Sequence, residues 1–245
     1  MEIIIVKDYE QMSQHAATLI NQFVQDNPYA TLGLATGHTP ERTYQLLIEA
    51  HRDLHIDWTN ITTFNLDEYI GLNPNSSHSY RAYMQEKLFK HLNIKPQNIH
   101  LPSITGDMAQ NVINYEKSIT NAGGINLQLL GIGQNGHIAF NEPGTDFETT
   151  THVANLTPMT LSANNRYFKT PTDMPSKAIT MGLKTIMQAQ AIILLASGQD
   201  KATAVQQMIE NEPSAKVPAS ILQNHNRVTV IVDQQAASKL KQVLR

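Results

Sequence analysis

The stretch LQLLGIGQNGHIAFNEPG at 127–144 holds the side chains best suited to chemistry, because Asn135, His137, Asn141 and Glu142 fall within eight positions. An imidazole close to a carboxylate can stay protonated near neutral pH and exchange protons with a substrate. This spacing predicts that His137 and Glu142 work together in proton transfer. The alternative is a glycine-rich turn that carries an ordinary surface histidine.

The residues before this cluster predict how it is positioned. The apolar run Leu127–Ile132 is typical of a buried strand. We expect Gly131, Gly133 and Gly136 to allow positive φ angles or close backbone approach in the following loop. Ligands of open α/β sheets bind beyond the carboxyl ends of the strands, so we expect a site at this edge.

A second candidate cluster follows the predicted strand Ile61–Asn65, where Asp67 and Glu68 are adjacent. A carboxylate that faces a crevice can move a proton between neighbouring carbons of a sugar if it is held within hydrogen-bond reach of both. A turn aspartate and a helix cap are the structural alternatives.

Two further loops have features of phosphate sites. The loop after the predicted strand Thr31–Ala35 is expected to open a helix with Thr39 as N-cap and Pro40 at the first helical position. A helix amino terminus offers free N–H groups and a partial positive charge, which favour anions. Lys201 falls in the first turn after the strand Ala191–Ala196, where a cation opposes the helix dipole unless a bound anion compensates. The first of these loops contains Thr36, Gly37, His38 and Thr39.

Short apolar runs alternate with amphipathic stretches along the whole chain. This alternation predicts an α/β fold, a Rossmann-like three-layer sandwich with a mostly parallel central sheet, in a single domain over 1–245. A helix is expected at Gln234–Leu244, and irregular loops are expected at 70–78 and 143–176. The predicted strands are Ile3–Val6, Thr31–Ala35, Ile61–Asn65, Leu127–Ile132, Ala178–Met181, Ala191–Ala196 and Val228–Val232.

The composition excludes several classes of protein. The 245 residues include 18 basic and 21 acidic side chains, a formal charge of −3 that gives no general attraction to nucleic acid or acidic membranes. A small anionic substrate would need local cations instead. No cysteine is present, which rules out disulfides and thiolate metal sites. No apolar run is long enough to span a membrane and no export signal is evident, so we expect a cytoplasmic chain.

Four motifs occur together in this chain: LATGHTP at 34–40, TFNLDEY at 63–69, LGIGQNGHIAFNEPG at 130–144 and NNRYF at 164–168. Their order and spacing resemble the glucosamine-6-phosphate deaminase (isomerase) family, in the superfamily shared with 6-phosphogluconolactonase. The resemblance covers essentially the whole chain. It implies conversion of D-glucosamine 6-phosphate and water into D-fructose 6-phosphate and ammonia, without a metal or organic cofactor.

The resemblance also implies roles for individual residues. Asp67 would be the base that carries a proton between C2 and C1, and His137 would assist opening of the pyranose ring, with Glu142 orienting it. The substrate phosphate would lie against the 36–40 loop, Arg166 and Lys201. A guanidinium can grip phosphate through two parallel hydrogen bonds, whereas an ammonium acts as a point charge.

The chain departs from the family pattern at two places. Many members have aspartate where this chain has Asn135, so this residue is expected to position His137 rather than to titrate. Hexameric members bind N-acetylglucosamine 6-phosphate through basic residues shortly after the NEP motif. The corresponding stretch here, 151–155, has neither lysine nor arginine. We therefore expect a monomer or small homo-oligomer with no response to that effector.

Two other functions compete with the deaminase. A 6-phosphogluconolactonase has the same fold and binds phosphate, but lactone hydrolysis does not require a proton shuttle between C2 and C1. A non-catalytic sugar-phosphate sensor would have no need to keep Asp67, His137 and Glu142 together. Release of ammonia from the amino sugar separates the deaminase from both.

Overall fold

The central sheet contains seven strands, all parallel, in the order β1-β10-β9-β6-β2-β3-β5. The computed structural model describes residues 1–73, 76–164 and 174–241. Within them, the predicted α/β fold with a mostly parallel sheet is confirmed. The strands are β1 Glu2–Val6, β2 Thr31–Leu34, β3 Thr62–Asn65, β4 Asp67–Ile70, β5 Ile99–His100, β6 Leu127–Gly131, β7 His152–Asn155, β8 Lys177–Thr180, β9 Ala191–Ala196 and β10 Val228–Asp233.

Helices cover both faces of this sheet, and successive strand residues face opposite layers. Leu129 packs with α1, α2 and α3, whereas its neighbour Leu130 packs with α4, α6 and α7. Because both faces are covered, the central strands are mostly apolar, as AIILLA of β9 is, which is the pattern of a sheet buried on both sides. The helices are α1 Tyr9–Asp26, α2 Glu41–Leu54, α3 Tyr80–Lys87, α4 Met108–Asn121, α5 Pro158–Asn164, α6 Leu183–Met187 and α7 Ala202–Glu210.

A second, smaller sheet was not predicted. Its three strands are antiparallel in the order β4-β8-β7. The predicted strand at Ala178–Met181 therefore exists as β8, but it lies outside the parallel sheet. Strand β4 was missed because its first residues are carboxylates, which are depleted in strands. Strand β7 and helix α5 lie inside the 143–176 stretch that was predicted to be irregular.

The helix predicted at Gln234–Leu244 is wrong over the residues that are described, which end at 241. Turns occupy 234–239 instead. The Asp233 carboxylate accepts the Ala236 N–H at 2.7 Å, and Leu240 N–H donates to Ala237 O at 2.9 Å. Ala236, Ala237 and Leu240 are buried, so a series of turns produces the same apolar spacing as a short helix. No helix in the described ranges is long and apolar enough to cross a membrane.

Candidate active site

A cavity of about 460 Å³ opens at the carboxyl ends of β2, β3, β6 and β9. This is the edge that the sequence predicted, and the volume is in the range of small-molecule sites. Both loops with phosphate-site features, the Asp67 segment and the His137 loop contribute to the walls. The lining includes Thr36, Gly37, His38, Thr39, Asp67, Tyr80, Asn135, His137, Met159, Thr160 and Lys201.

Asp67 is the first residue of β4 and pairs with Thr180 of β8. Its side chain lines the cavity although the residue is only 5% exposed. Burial raises the pKa of Asp67 well above the usual value for aspartate, and the neighbouring charge of Glu68 raises it further. A raised pKa makes this carboxylate a stronger base, as a proton-abstracting group requires.

Glu68 has a different role from its neighbour. Its carboxylate accepts the backbone N–H groups of Tyr69, Tyr80 and Arg81, each at 2.9 Å. Two of these N–H groups belong to the first turn of α3, so Glu68 caps that helix. Of the alternatives left open by the sequence, the helix cap therefore applies to Glu68, whereas Asp67 faces the cavity.

The loop after β6 is shaped by two of its three glycines. Gly136 has a φ of +84°. A Cβ at Gly133 would lie 2.4 Å from Cε1 of His137, so the imidazole ring packs directly on this glycine. Gly131 has no positive φ, and a Cβ added there would have no atom within 4 Å, so its expected role is wrong. Because Gly133 has no side chain, the imidazole of His137 can lie directly against the backbone at this position.

Asn141 fastens the end of this loop to the small sheet. It is fully buried, and its Nδ2 donates to the carbonyl oxygens of Ile138 and Met181, both at 2.9 Å. Phe140 N–H donates to the Thr180 hydroxyl at 3.0 Å. The His137 loop is therefore held against β8, the strand that also pairs with Asp67.

Asn135 joins His137 and Glu142 through hydrogen bonds, and the imidazole of His137 lies beside the same carboxylate. Nδ1 of His137 lies 3.4 Å from Glu142 Oε2, and Asn135 Nδ2 donates to the same oxygen at 2.7 Å. Asn135 Oδ1 accepts the His137 backbone N–H at 3.2 Å. An aspartate at 135 could not donate to Glu142, so the amide positions both partners without adding charge.

The charge of Glu142 is strongly favoured by these contacts. Burial raises the pKa of Glu142, but the adjacent His137 ring and the donors on Thr160 and Asn135 outweigh burial and lower the pKa to about 2. The carboxylate is therefore ionised throughout the neutral range.

The second oxygen of the same carboxylate is held from α5. Thr157 Oγ1 donates to Glu142 Oε1 at 3.2 Å, and Thr160 Oγ1 donates to that oxygen as well. Neither threonine was identified from the sequence. Nothing in their spacing signals the contact, because they follow Glu142 by 15 and 18 positions and meet it only in the folded chain.

The two predicted phosphate loops both reach the cavity. The first leads into α2, but Pro40 rather than Thr39 is its N-cap, so the expected cap is wrong by one residue. Gly37 has a φ of +97°, and its carbonyl oxygen accepts the Tyr83 hydroxyl at 2.6 Å. The His38 ring stacks on Tyr9 at 5.6 Å.

Lys201 ends a single 3₁₀ turn, Gln199–Lys201, that precedes α7. Its Nζ is 3.9 Å from Asp200 Oδ2. The turn is held by Asp233, whose buried carboxylate accepts the Ser197 hydroxyl at 2.5 Å and the Gly198 N–H at 3.1 Å. Asp233 was not identified from the sequence, because it stands at the end of a different strand.

Arg166, the remaining predicted phosphate ligand, lies outside the described residues. Among the residues that are described, no group of three or more histidine, aspartate or glutamate side chains could hold a metal ion.

Comparisons with known proteins agree on one family. Residues 7–231 match the family described as glucosamine-6-phosphate isomerases/6-phosphogluconolactonase. The chain is 49% identical to a glucosamine-6-phosphate deaminase of Thermoanaerobacter sp. (strain X514), over 97% of this chain and 94% of that protein. It is 50% identical to one from Shouchella clausii, over 97% of each. A solved structure of a monomeric glucosamine-6-phosphate deaminase matches with a TM-score of 0.95 and 44% identity, over 97% of this chain and 99% of that one. The chain therefore belongs to the glucosamine-6-phosphate isomerase/6-phosphogluconolactonase family.

Proposed function

We propose that this chain is an enzyme that converts D-glucosamine 6-phosphate and water into D-fructose 6-phosphate and ammonia. The observation that carries the proposal is the buried carboxylate of Asp67 in the same cavity as the His137–Glu142 pair. An aldose to ketose conversion needs one base for a carbon-bound proton and one group that moves a proton from the C1 hydroxyl to the ring oxygen. Deaminases at about half identity over nearly the full chain support this reaction.

Ring opening is the first step, and we assign it to His137. The C1 hydroxyl loses its proton while the ring oxygen gains one, and a histidine can mediate both transfers. The carboxylate of Glu142 stabilises the positive charge that the imidazole gains when it accepts the C1 hydroxyl proton. Asn135 holds His137 and Glu142 in position. The product of this step is the open-chain amino aldehyde.

Asp67 then moves a proton along the carbon chain. It removes the proton from C2 while the C1 oxygen gains a proton from the substrate's ammonium group, which gives an enolamine. It then returns its proton to C1, which gives an iminium at C2. Water adds to C2, the C–N bond breaks, and ammonia leaves as C2 becomes a carbonyl. The balance is one water consumed and one ammonia released, so the net reaction is a hydrolytic deamination.

The phosphate is assigned to the 36–39 loop and Lys201, which line the cavity from two sides. Arg166 is added on the motif resemblance alone. These contacts anchor the substrate at the end opposite to the reacting carbons, where binding energy orients the sugar. We also propose that residues 1–245 act as one cytoplasmic domain, without metal or organic cofactor, as a monomer or small homo-oligomer.

A coupled assay tests the function. Purified protein is supplied with D-glucosamine 6-phosphate, and ammonia and fructose 6-phosphate are measured separately. Equal amounts of both products, which disappear in Asp67→Asn, are expected. Absence of ammonia together with hydrolysis of 6-phosphogluconolactone would replace the deaminase with the lactonase, for which Asp67 has no proton to transfer between carbons.

A further inference from the structure

The carboxylate of Glu142 joins two parts of the cavity wall. Its Oε2 faces the catalytic loop, where Asn135 Nδ2 lies at 2.7 Å and His137 Nδ1 at 3.4 Å. Its Oε1 accepts hydrogen bonds from the hydroxyl of Thr157, just before α5, and from the hydroxyl of Thr160 in α5. The two oxygens are thus divided between the group that does chemistry and a helix outside the predicted site.

The Thr160 hydroxyl donates to this carboxylate, and the Thr157 hydroxyl lies 3.2 Å from both Glu142 Oε1 and Thr160 Oγ1, so the three groups form one hydrogen-bonded cluster. Thr160 N–H donates to Thr157 Oγ1 at 3.3 Å, and Leu161 N–H donates to Thr157 O at 2.9 Å, so Thr157 caps the first turn of α5. A hydroxyl that accepts from the helix still has its own hydrogen to donate. Thr160 is only 3% exposed and Glu142 8%, so water has little access to replace either donor.

We propose that Thr157 and Thr160 are positioning residues that fix the orientation and charge of Glu142, and through it the ring of His137. The inference rests on the proposed function for its kinetic consequence, although the contacts themselves do not depend on the substrate. Because Met159 and Thr160 line the cavity, contact between a bound sugar and this turn acts on Glu142 directly.

Loss of the threonine hydroxyls has a predictable effect on Glu142. A carboxylate that loses a hydroxyl donor becomes easier to protonate and freer to rotate, and a rotated Oε2 no longer faces His137. The step that depends on His137 slows, whereas the phosphate contacts remain. We therefore expect kcat to fall by roughly tenfold while KM stays within about twofold, the pattern for an interaction used in the reacting state.

The variants are Thr160→Val, which keeps the shape and removes the hydroxyl, and Thr160→Ser, which keeps the hydroxyl and removes the methyl group. Thr157→Val removes the other donor. Thr18→Val is the matched control, because Thr18 is exposed on α1 and its hydroxyl donates to Gln14 O of the same helix at 2.9 Å. Thermal melts establish that each variant is folded.

Two measurements are made on each variant. Steady-state kinetics with D-glucosamine 6-phosphate give kcat and KM. Proteins labelled with ¹³C at the glutamate carboxyl carbon are titrated from pH 3 to pH 8, and the Glu142 signal is identified by its loss in Glu142→Gln. The titration needs no substrate, so it decides the positioning role even if the proposed reaction fails.

The expected result has three parts. In Thr157→Val/Thr160→Val the Glu142 titration moves up by about one to two pH units, into the observable range. Thr160→Val loses kcat as described, and Thr160→Ser retains most of it. If Thr160→Val does not fold, Thr157→Val carries the same expectation with a smaller loss.

Either of two results overturns the proposal. An unchanged Glu142 titration in the variants that lack the hydroxyls would show that α5 does not determine the state of the carboxylate. Equal loss of kcat in Thr160→Ser and Thr160→Val would assign the effect to packing of the methyl group instead.

Discussion

Replacement of Gly133 by alanine should disable the site without altering any polar group in it. The added Cβ would lie 2.4 Å from Cε1 and 2.5 Å from Nδ1 of His137, whereas ordinary van der Waals contact begins at 3.4 Å. The ring must therefore move by about 1 Å. Gly133 itself has no positive φ, so alanine is compatible with the backbone and the overlap is the main perturbation.

The magnitude follows from how tightly the ring is held. His137 can relieve the overlap only by moving relative to Glu142, 3.4 Å away, or by displacing Gly133, whose N–H donates to His137 O at 2.9 Å. A displacement of about 1 Å in a catalytic group costs on the order of 10²-fold in rate. We expect kcat/KM for ammonia release to fall by that factor.

The assay measures ammonia and fructose 6-phosphate from D-glucosamine 6-phosphate, with thermal melts to confirm folding. Thr18→Ala is the control, because Thr18 is exposed on α1 and does not line the cavity. It should retain most of the activity. A folded Gly133→Ala protein with kcat/KM within about threefold of the starting protein would refute this placement of the His137 ring.

Four further predictions concern Asp67, Lys201 and residues 151–155. Asp67→Asn should lower kcat by about 10² to 10⁴-fold, and more than a tenth of the original kcat would contradict its role as base. Because the pKa of Asp67 is raised in the fold, the native chain binds more protons than the unfolded chain between the two pKa values, and stability falls as pH rises through that window. The same variant should therefore melt at a higher temperature at pH 7.5, with the difference shrinking towards pH 4; a lower melting temperature would argue against a penalised charge. Lys201→Ala should raise KM much more than it lowers kcat, by about 10-fold or more for the loss of one charge-assisted bond, and an unchanged KM would move the phosphate elsewhere. Substrate curves should be hyperbolic and insensitive to millimolar N-acetylglucosamine 6-phosphate, because 151–155 offers no lysine or arginine to bind it; sigmoidal curves that the effector abolishes would show an allosteric site.

The central sheet could be predicted because its signal is local. Six predicted strands are confirmed in the parallel sheet within a residue or two, since strands buried on both faces are rich in apolar residues. The position of the cavity followed from the same pattern, because parallel strands end at one edge. The pairing of His137 with Glu142 was also within reach, since both fall on one loop after β6.

The small sheet and the different positions of Asp67 and Glu68 depend on tertiary structure. Asp67 and Glu68 are adjacent carboxylates, and the sequence does not show which of them faces the site. The pairing of β4 with β8 places Asp67 at the cavity and Glu68 against α3. Long-range antiparallel pairing leaves little local pattern when its strands are four residues long and partly polar.

The contacts that complete the site are likewise non-local. The loop containing His137 and Glu142 was visible in the sequence, but the hydroxyl of Thr160 that holds the second oxygen of Glu142 was not. Periodicity reports which face of an element is buried, whereas a hydrogen bond between elements depends on where the packed layers place them. The sequence alone therefore determined six strands of the central sheet and the candidate reacting groups, and the packing of α5 and the small sheet against the central layer determined how those groups are held.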